Sequence, residues 1–173
     1  MNNIIKISIF LIVLGLISCN KIIPSGFWNN FQKNYIKVNK TDQGPWGGYR
    51  AMYWKSDTKK TFVSGNIISY AAKKGWILID SLEINKNELD TWIHNETPIF
   101  PLSQTGFSTK IANDDVYLNF PRWINSDLKI YMFKTGWISY KSGTDESIDV
   151  NGFILINNEG NEMSVYHMII SNI

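Results

Sequence analysis

Gly152-Phe153-Ile154-Leu155-Ile156-Asn157, then Asn158-Glu159-Gly160-Asn161, then Glu162-Met163-Ser164-Val165-Tyr166-His167-Met168-Ile169-Ile170 is the stretch that decides the fold. Two runs rich in β-branched and aromatic residues flank a short Asn/Gly loop, the pattern of a β-hairpin. Leu128 to Tyr140 upstream is a third strand-like run, and the three together predict an antiparallel meander. Gly136 inside the first run predicts a bulge or a break into two strands. Working outward, Trp76 to Ile84 reads as a strand, apolar on both faces up to Ile79, which predicts a central or covered position. Tyr49 to Lys55 reads as another, followed by a Ser56-Asp57-Thr58 turn and a return strand over Lys60 to Val63. Between these runs Ser64 is an N-cap candidate, and Ile67, Ile68, Ala71 and Ala72 share one helical face. Lys73 and Lys74 suit the negative end of that helix, and Gly75 stops it. The fold class is α+β: a mostly antiparallel sheet, one main helix over about 65–74 packed on it, and a C-terminal three-strand meander.

The remaining segments are plainer. Asn87 to His94 is a short helix candidate with Leu89, Trp92 and Ile93 on one side. Asn95 to Thr105, with Pro98 and Pro101, reads as loop, as does Pro121 to Asp127. Ser108 to Phe120 holds one or two short strands around an Asn113-Asp114-Asp115 turn. Phe27, Trp28, Phe31 and Tyr35 recur at helical spacing, so an amphipathic helix over 27–36 is expected to dock on the domain. The breaker cluster Gln43-Gly44-Pro45-Trp46-Gly47-Gly48 opens the main domain, expected over 46–173. Tyr70-x-x-Lys73-x-Gly75-Trp76-Ile77 echoes Tyr131-x-x-Lys134-x-Gly136-Trp137-Ile138, but one copy ends a helix and the other lies in a strand run, so the echo is read as coincidence.

Composition narrows the functional classes. With 17 Lys+Arg against 15 Asp+Glu and no basic stripe, a nucleic-acid partner is not indicated. Cys19 is the sole cysteine, which excludes an intramolecular disulfide and a cysteine-rich metal site. Asn39-Lys40-Thr41 and Asn95-Glu96-Thr97 match the glycosylation pattern, as chance allows in a chain so rich in asparagine.

The N-terminus carries the only targeting signal. Met1 to Lys6 is cationic, and Ile7 to Ile17 is almost wholly apolar. About a dozen helical residues reach roughly 18 Å, short of the ~30 Å hydrocarbon layer, so a spanning helix is the weaker reading. The segment ends Leu16-Ile17-Ser18-Cys19, which resembles the lipobox of bacterial lipoproteins. That resemblance implies removal of residues 1–18 and acylation of Cys19, so the membrane becomes a partner through lipid on Cys19. It further implies a lipidated tether over 19–45, with Asn20 in place of the aspartate that holds many such proteins at the inner membrane. A cell-envelope location follows, at the outer membrane where there are two.

Catalytic signatures are sparse. There is no Gly-x-Ser-x-Gly, His-Glu-x-x-His, phosphate loop or calcium loop, and no catalytic residue, cofactor or metal site is nominated. His94 reads as a helix-end residue. His167 alternates with Met163, Val165 and Ile169, so it reads as a hydrogen-bonded histidine on a half-buried face, with a general base as the sharper alternative. Asp80 alternates with Trp76, Leu78, Leu82 and Ile84 and needs a partner if buried, for which Arg50 is the candidate. Asp114-Asp115 is a turn first. Trp46 and Trp123 sit in breaker-rich segments and are candidates for exposed binding aromatics. The expectation is a non-enzymatic, lipid-anchored module that binds a protein or glycan, with an aromatic surface patch away from the tether. The alternatives are an envelope hydrolase with a non-standard site around Asp80, Arg50 or His167, and an immunity or inhibitor lipoprotein.

Overall fold

The structure is a computed structural model that describes residues 25–44, 47–99, 101–103, 120–137, 139–140 and 146–170. Cys19, Trp46, Asp114 and Asp115, with the strands expected within 108–119, lie outside the described residues.

Six strands form one sheet: β1 (Ile36–Gly44), β2 (Gly47–Lys55), β3 (Ile77–Ile84), β6 (Leu128–Lys134), β9 (Gly152–Asn157) and β10 (Glu162–Ile170). Their order is β1-β2-β10-β9-β6-β3, and every pairing is antiparallel. The expected meander is its centre, with β9 between β6 and β10. Two small hairpins complete the strands: β4 (Ile93–His94) with β5 (Thr97–Pro98), and β7 (Ser139–Tyr140) with β8 (Ser147–Ile148). The strand run through Gly136 is broken there into β6 and β7.

The sheet is covered on both faces. On one, Met52, Trp54, Ile154, Met163 and Val165 meet Ile67 and Ala71 of helix α1 (Ser64–Ala72) together with Trp28 and Phe31 from the N-terminal segment. On the other, Ala51, Phe153, Leu155, Tyr166 and Met168 meet Leu89, Trp92, Ile99, Leu102, Phe120 and Ile124 from helix α2 (Lys86–Thr91) and its neighbouring loops. Asn85 and Glu88 form a reciprocal capping box that starts α2. Gly75, at φ 87, lets the chain leave α1 and turn straight into Trp76 and β3.

Five local expectations are corrected. Residues 26–30 and 33–35 form 3-10 turns rather than a helix over 27–36. Ser25 and Gln32 are left-handed and reset the chain before each turn, yet Trp28 and Phe31 still dock as expected. Residues 36–44 are an edge strand, so the sheet begins before the boundary expected at 46. No return strand forms over Lys60 to Val63, because both edges of β2 are taken by β1 and β10. Instead Lys60 N–H and Phe62 N–H donate to the carbonyls of Glu159 and Gly160 in the 158–161 loop. Helix α1 begins at Ser64 with Val63 in the cap position and no side-chain cap bond. Finally, β3 is the far edge strand, not a central one, and Ile77, Leu78 and Ile79 are exposed.

Candidate functional site

The residues singled out by sequence scatter, with one exception. Arg50 and His167 are direct register partners on β2 and β10, on the face that α1 covers. Asp80 is far from them on β3, exposed, and its carboxylate accepts from the neighbouring Ser81 N–H, at 2.7 Å. A bulge explains the failed pairing. Leu78 opposes Phe133 and Asp80 opposes Met132, so Ile79 is an extra residue and the alternation assumed through Asp80 is reset.

Around Arg50 and His167 the fold assembles polar groups from four parts of the chain. Ser25 Oγ lies 2.6 Å from His167 Nδ1, and Thr135 Oγ1 lies 3.0 Å from His167 Nε2. One ring nitrogen donates and the other accepts, so a single neutral tautomer satisfies both hydroxyls. Asn151 accepts from Thr135 N–H at 3.1 Å and donates to the Trp137 carbonyl at 2.8 Å, which fixes the turn bearing Thr135. Arg50 Nη1 donates to Asn29 Oδ1 at 2.7 Å, and its guanidinium has no carboxylate ion pair among the described residues. Trp76 lies against the imidazole, with ring centroids 5.6 Å apart.

A serine, a histidine and a cation in contact invite a catalytic reading, and the electrostatics oppose it. His167 is fully buried. Burial, and secondarily the nearby Arg50 charge, push its pKa down from 6.5 to about 3. An imidazole held neutral so strongly is a poor proton acceptor at neutral pH. Ser25 is itself buried under the 3-10 segment that it begins. The cluster therefore acts as a clasp. It ties Ser25, the first described residue, to the last strand and to the turn after β6. Phe27 reinforces it by packing on Trp76, and the Phe27 carbonyl accepts from Tyr70 Oη at 2.8 Å.

Trp123 is half-buried, not free. Its ring stacks on Tyr53 and Tyr166 with centroids at 5.7 and 5.9 Å, and it belongs to the wall of the second core. Tyr166 donates its hydroxyl to the Pro121 carbonyl, which holds that wall in place. His94 sits on β4, 3.0 Å from a Glu88 carboxylate oxygen, as part of the α2 turn. Among the described residues no group of three or more His, Cys, Asp or Glu is placed to hold a metal ion, and no helix is long and apolar enough to cross a membrane.

Open concavity lies at the other end of the sheet. The 158–161 loop separates two clefts. One, of about 340 Å³, is lined by Phe62, Ser64, Glu83, Lys129, Tyr131 and Asn158. The second, of about 360 Å³, is lined by Lys55, Ser126, Asp127, Asn158, Asn161 and Glu162. Both mix amide, carboxylate and ammonium groups, and the first adds the Tyr131 ring and the apolar side chains of Phe62, Val63 and Ile156. Asn157 anchors the loop between them: its side-chain Oδ1 accepts from the N–H groups of Asn161 and Glu162, each at 3.0 Å. Sequence reasoning found this loop as a hairpin connection but not as a site. It also passed over Ser25, Asn29, Thr135 and Asn151, whose common location depends on pairings more than a hundred residues apart. No protein-family model matches this chain, and comparison with curated proteins and with solved structures finds no match for it.

Proposed function

We propose that this chain is a lipid-anchored cell-envelope protein, held at a membrane through Cys19, whose domain works as a non-enzymatic binding module. The observation that supports it is polarity of layout. The N-terminal segment enters at the clasp end of the sheet, and the two clefts flank the 158–161 loop at the opposite end. Ser25 lies six residues beyond Cys19. Fully extended they reach about 20 Å, so a lipid on Cys19 keeps the clasp end beside the bilayer and turns the clefts away from it. A concavity that sets amide, carboxylate and ammonium groups beside Phe62, Tyr131 and Ile156 suits a glycan or a protein loop, with hydrogen bonds to its polar groups and apolar contact beside them. The sealed, neutral His167 weighs against the hydrolase alternative.

Mass spectrometry of the mature protein from its host tests the anchor, which fails if the Cys19 sulfur is bare. A photo-crosslinking residue at Asn158 in the full chain tests the cleft, with one at Lys37 on the β1 edge as control. The proposal expects a defined adduct from position 158 and none from 37. Equal labelling at both positions, or none at 158, would refute it.

A further inference from the structure

The two edges of the sheet are treated differently. β1 is polar, with Lys37, Asn39, Lys40 and Thr41, as an edge that avoids association should be. β3 begins with three consecutive large apolar residues that face solvent: Ile77 is 60% exposed, Leu78 41% and Ile79 52%. Ile77 is the register partner of Lys134, and three residues beyond Lys134 stands Trp137, 38% exposed. The same end of the sheet carries His167 and therefore Ser25, because β9 places Gly152 opposite both Phe133 and His167. The longest run of exposed apolar residues is thus at the clasp end, where a partner-binding patch was expected away from it, while Tyr35 and Val63 are single exposed residues toward the loop end.

We infer that Ile77, Leu78, Ile79 and Trp137 form a bilayer-docking patch that seats the domain against the membrane interface. This rests in part on the anchoring reading, since six residues from Cys19 put this end within reach of the headgroups. The patch has its own chemistry as well. Aliphatic side chains with a tryptophan suit the boundary between headgroups and acyl chains, where the indole is half wet. Lys73 and Lys74, exposed just past the end of α1 and parted from Trp76 by Gly75, supply ammonium groups for lipid phosphates. Among the described residues the other charges at this end are Asp80, Glu146 and the Lys134–Asp149 pair at 3.0 Å, so the two signs balance and apolar contact dominates. The bulge at Ile79 spoils regular pairing along that edge, which disfavours a second copy as the occupant.

The test uses full-length protein reconstituted into vesicles. Fluorescence of wild type minus W137F isolates Trp137, and lipids brominated near the headgroup are compared with aqueous iodide as quenchers. The patch predicts strong quenching by brominated lipid, shielding from iodide, and loss of both effects in an I77D/I79D variant whose circular dichroism is unchanged. If Trp137 stays open to iodide on vesicles while Cys19 carries lipid, the patch is refuted and the anchor stands. If Cys19 is bare but Trp137 is still quenched by brominated lipid, the anchor falls and the patch stands. Shielding from both quenchers together with a doubled mass in detergent would assign the surface to a second copy and overturn the proposal.

Discussion

The buried histidine makes stability fall with acid in a calculable way. In the unfolded chain His167 takes up a proton near pH 6.5. In the native fold it stays neutral until about pH 3. Between those values the unfolded state binds one proton more than the native state. Stability therefore falls as pH drops through the window, by about 1.4 kcal/mol per pH unit. From pH 6.5 to pH 5 this amounts to about 2 kcal/mol, a large share of the total for a domain of this size. The perturbation is H167Q, which keeps a donor and an acceptor for Ser25 and Thr135 but cannot titrate. Urea unfolding of both proteins at pH 7 and pH 5 is the assay. The variant is expected to be less stable at pH 7, because its fit is imperfect, but to lose about 2 kcal/mol less than wild type on going to pH 5. Every other ionisable group is common to the two proteins, so its contribution cancels in the comparison. Equal losses would mean that His167 is protonated or hydrated in the native state, and the sealed clasp would be refuted.

Three further outcomes follow from packing and capping. W28A empties a fully buried site between Trp54, Tyr70 and Trp76, and is expected to cost about 3–5 kcal/mol in urea unfolding. G152A places a methyl 2.6 Å from Thr135 Cγ2 and 2.9 Å from Trp76 Cζ3, so it should cost about 1–3 kcal/mol, and pairing it with T135S should recover part of the loss. N85A removes the side chain that accepts from Asn87 N–H and Glu88 N–H at the start of α2, with an expected cost of about 1 kcal/mol and faster amide exchange confined to 86–91.

Strand positions were legible where apolar side chains meet a core formed within the chain. The runs 128–134, 152–157 and 162–170 are such cases, and so is α1, whose Ile67 and Ala71 show the helical period. β1 was not legible because an edge strand has little to bury. Ile36 and Val38 are its only large apolar residues, and the rest reads as linker. β3 misled in the opposite sense. Ile77, Leu78 and Ile79 signal a covered strand, but alternation cannot say whether the cover is another part of the chain or something outside it. Asp80 keeps the face of Leu82 and Ile84, but one bulge residue, invisible in a periodic pattern, parts that face from Leu78 and Trp76. Of the candidate site, Arg50 and His167 were visible as oddities, a cation and an imidazole on apolar strand faces. Their partners Ser25, Asn29 and Thr135 are ordinary polar residues that acquire meaning only when the β2–β10 register is known.

The place of β10 within the sheet bears on how the polypeptide is made. Residues 162–170 lie between β2 and β9, so the β1–β2 hairpin and the block formed by β9, β6 and β3 share no direct seam. Until residues 162–170 have left the ribosome the two halves share no strand to zip onto. Shortening the gene before the codons for residues 162–170 should therefore give protease-sensitive fragments rather than a smaller stable core.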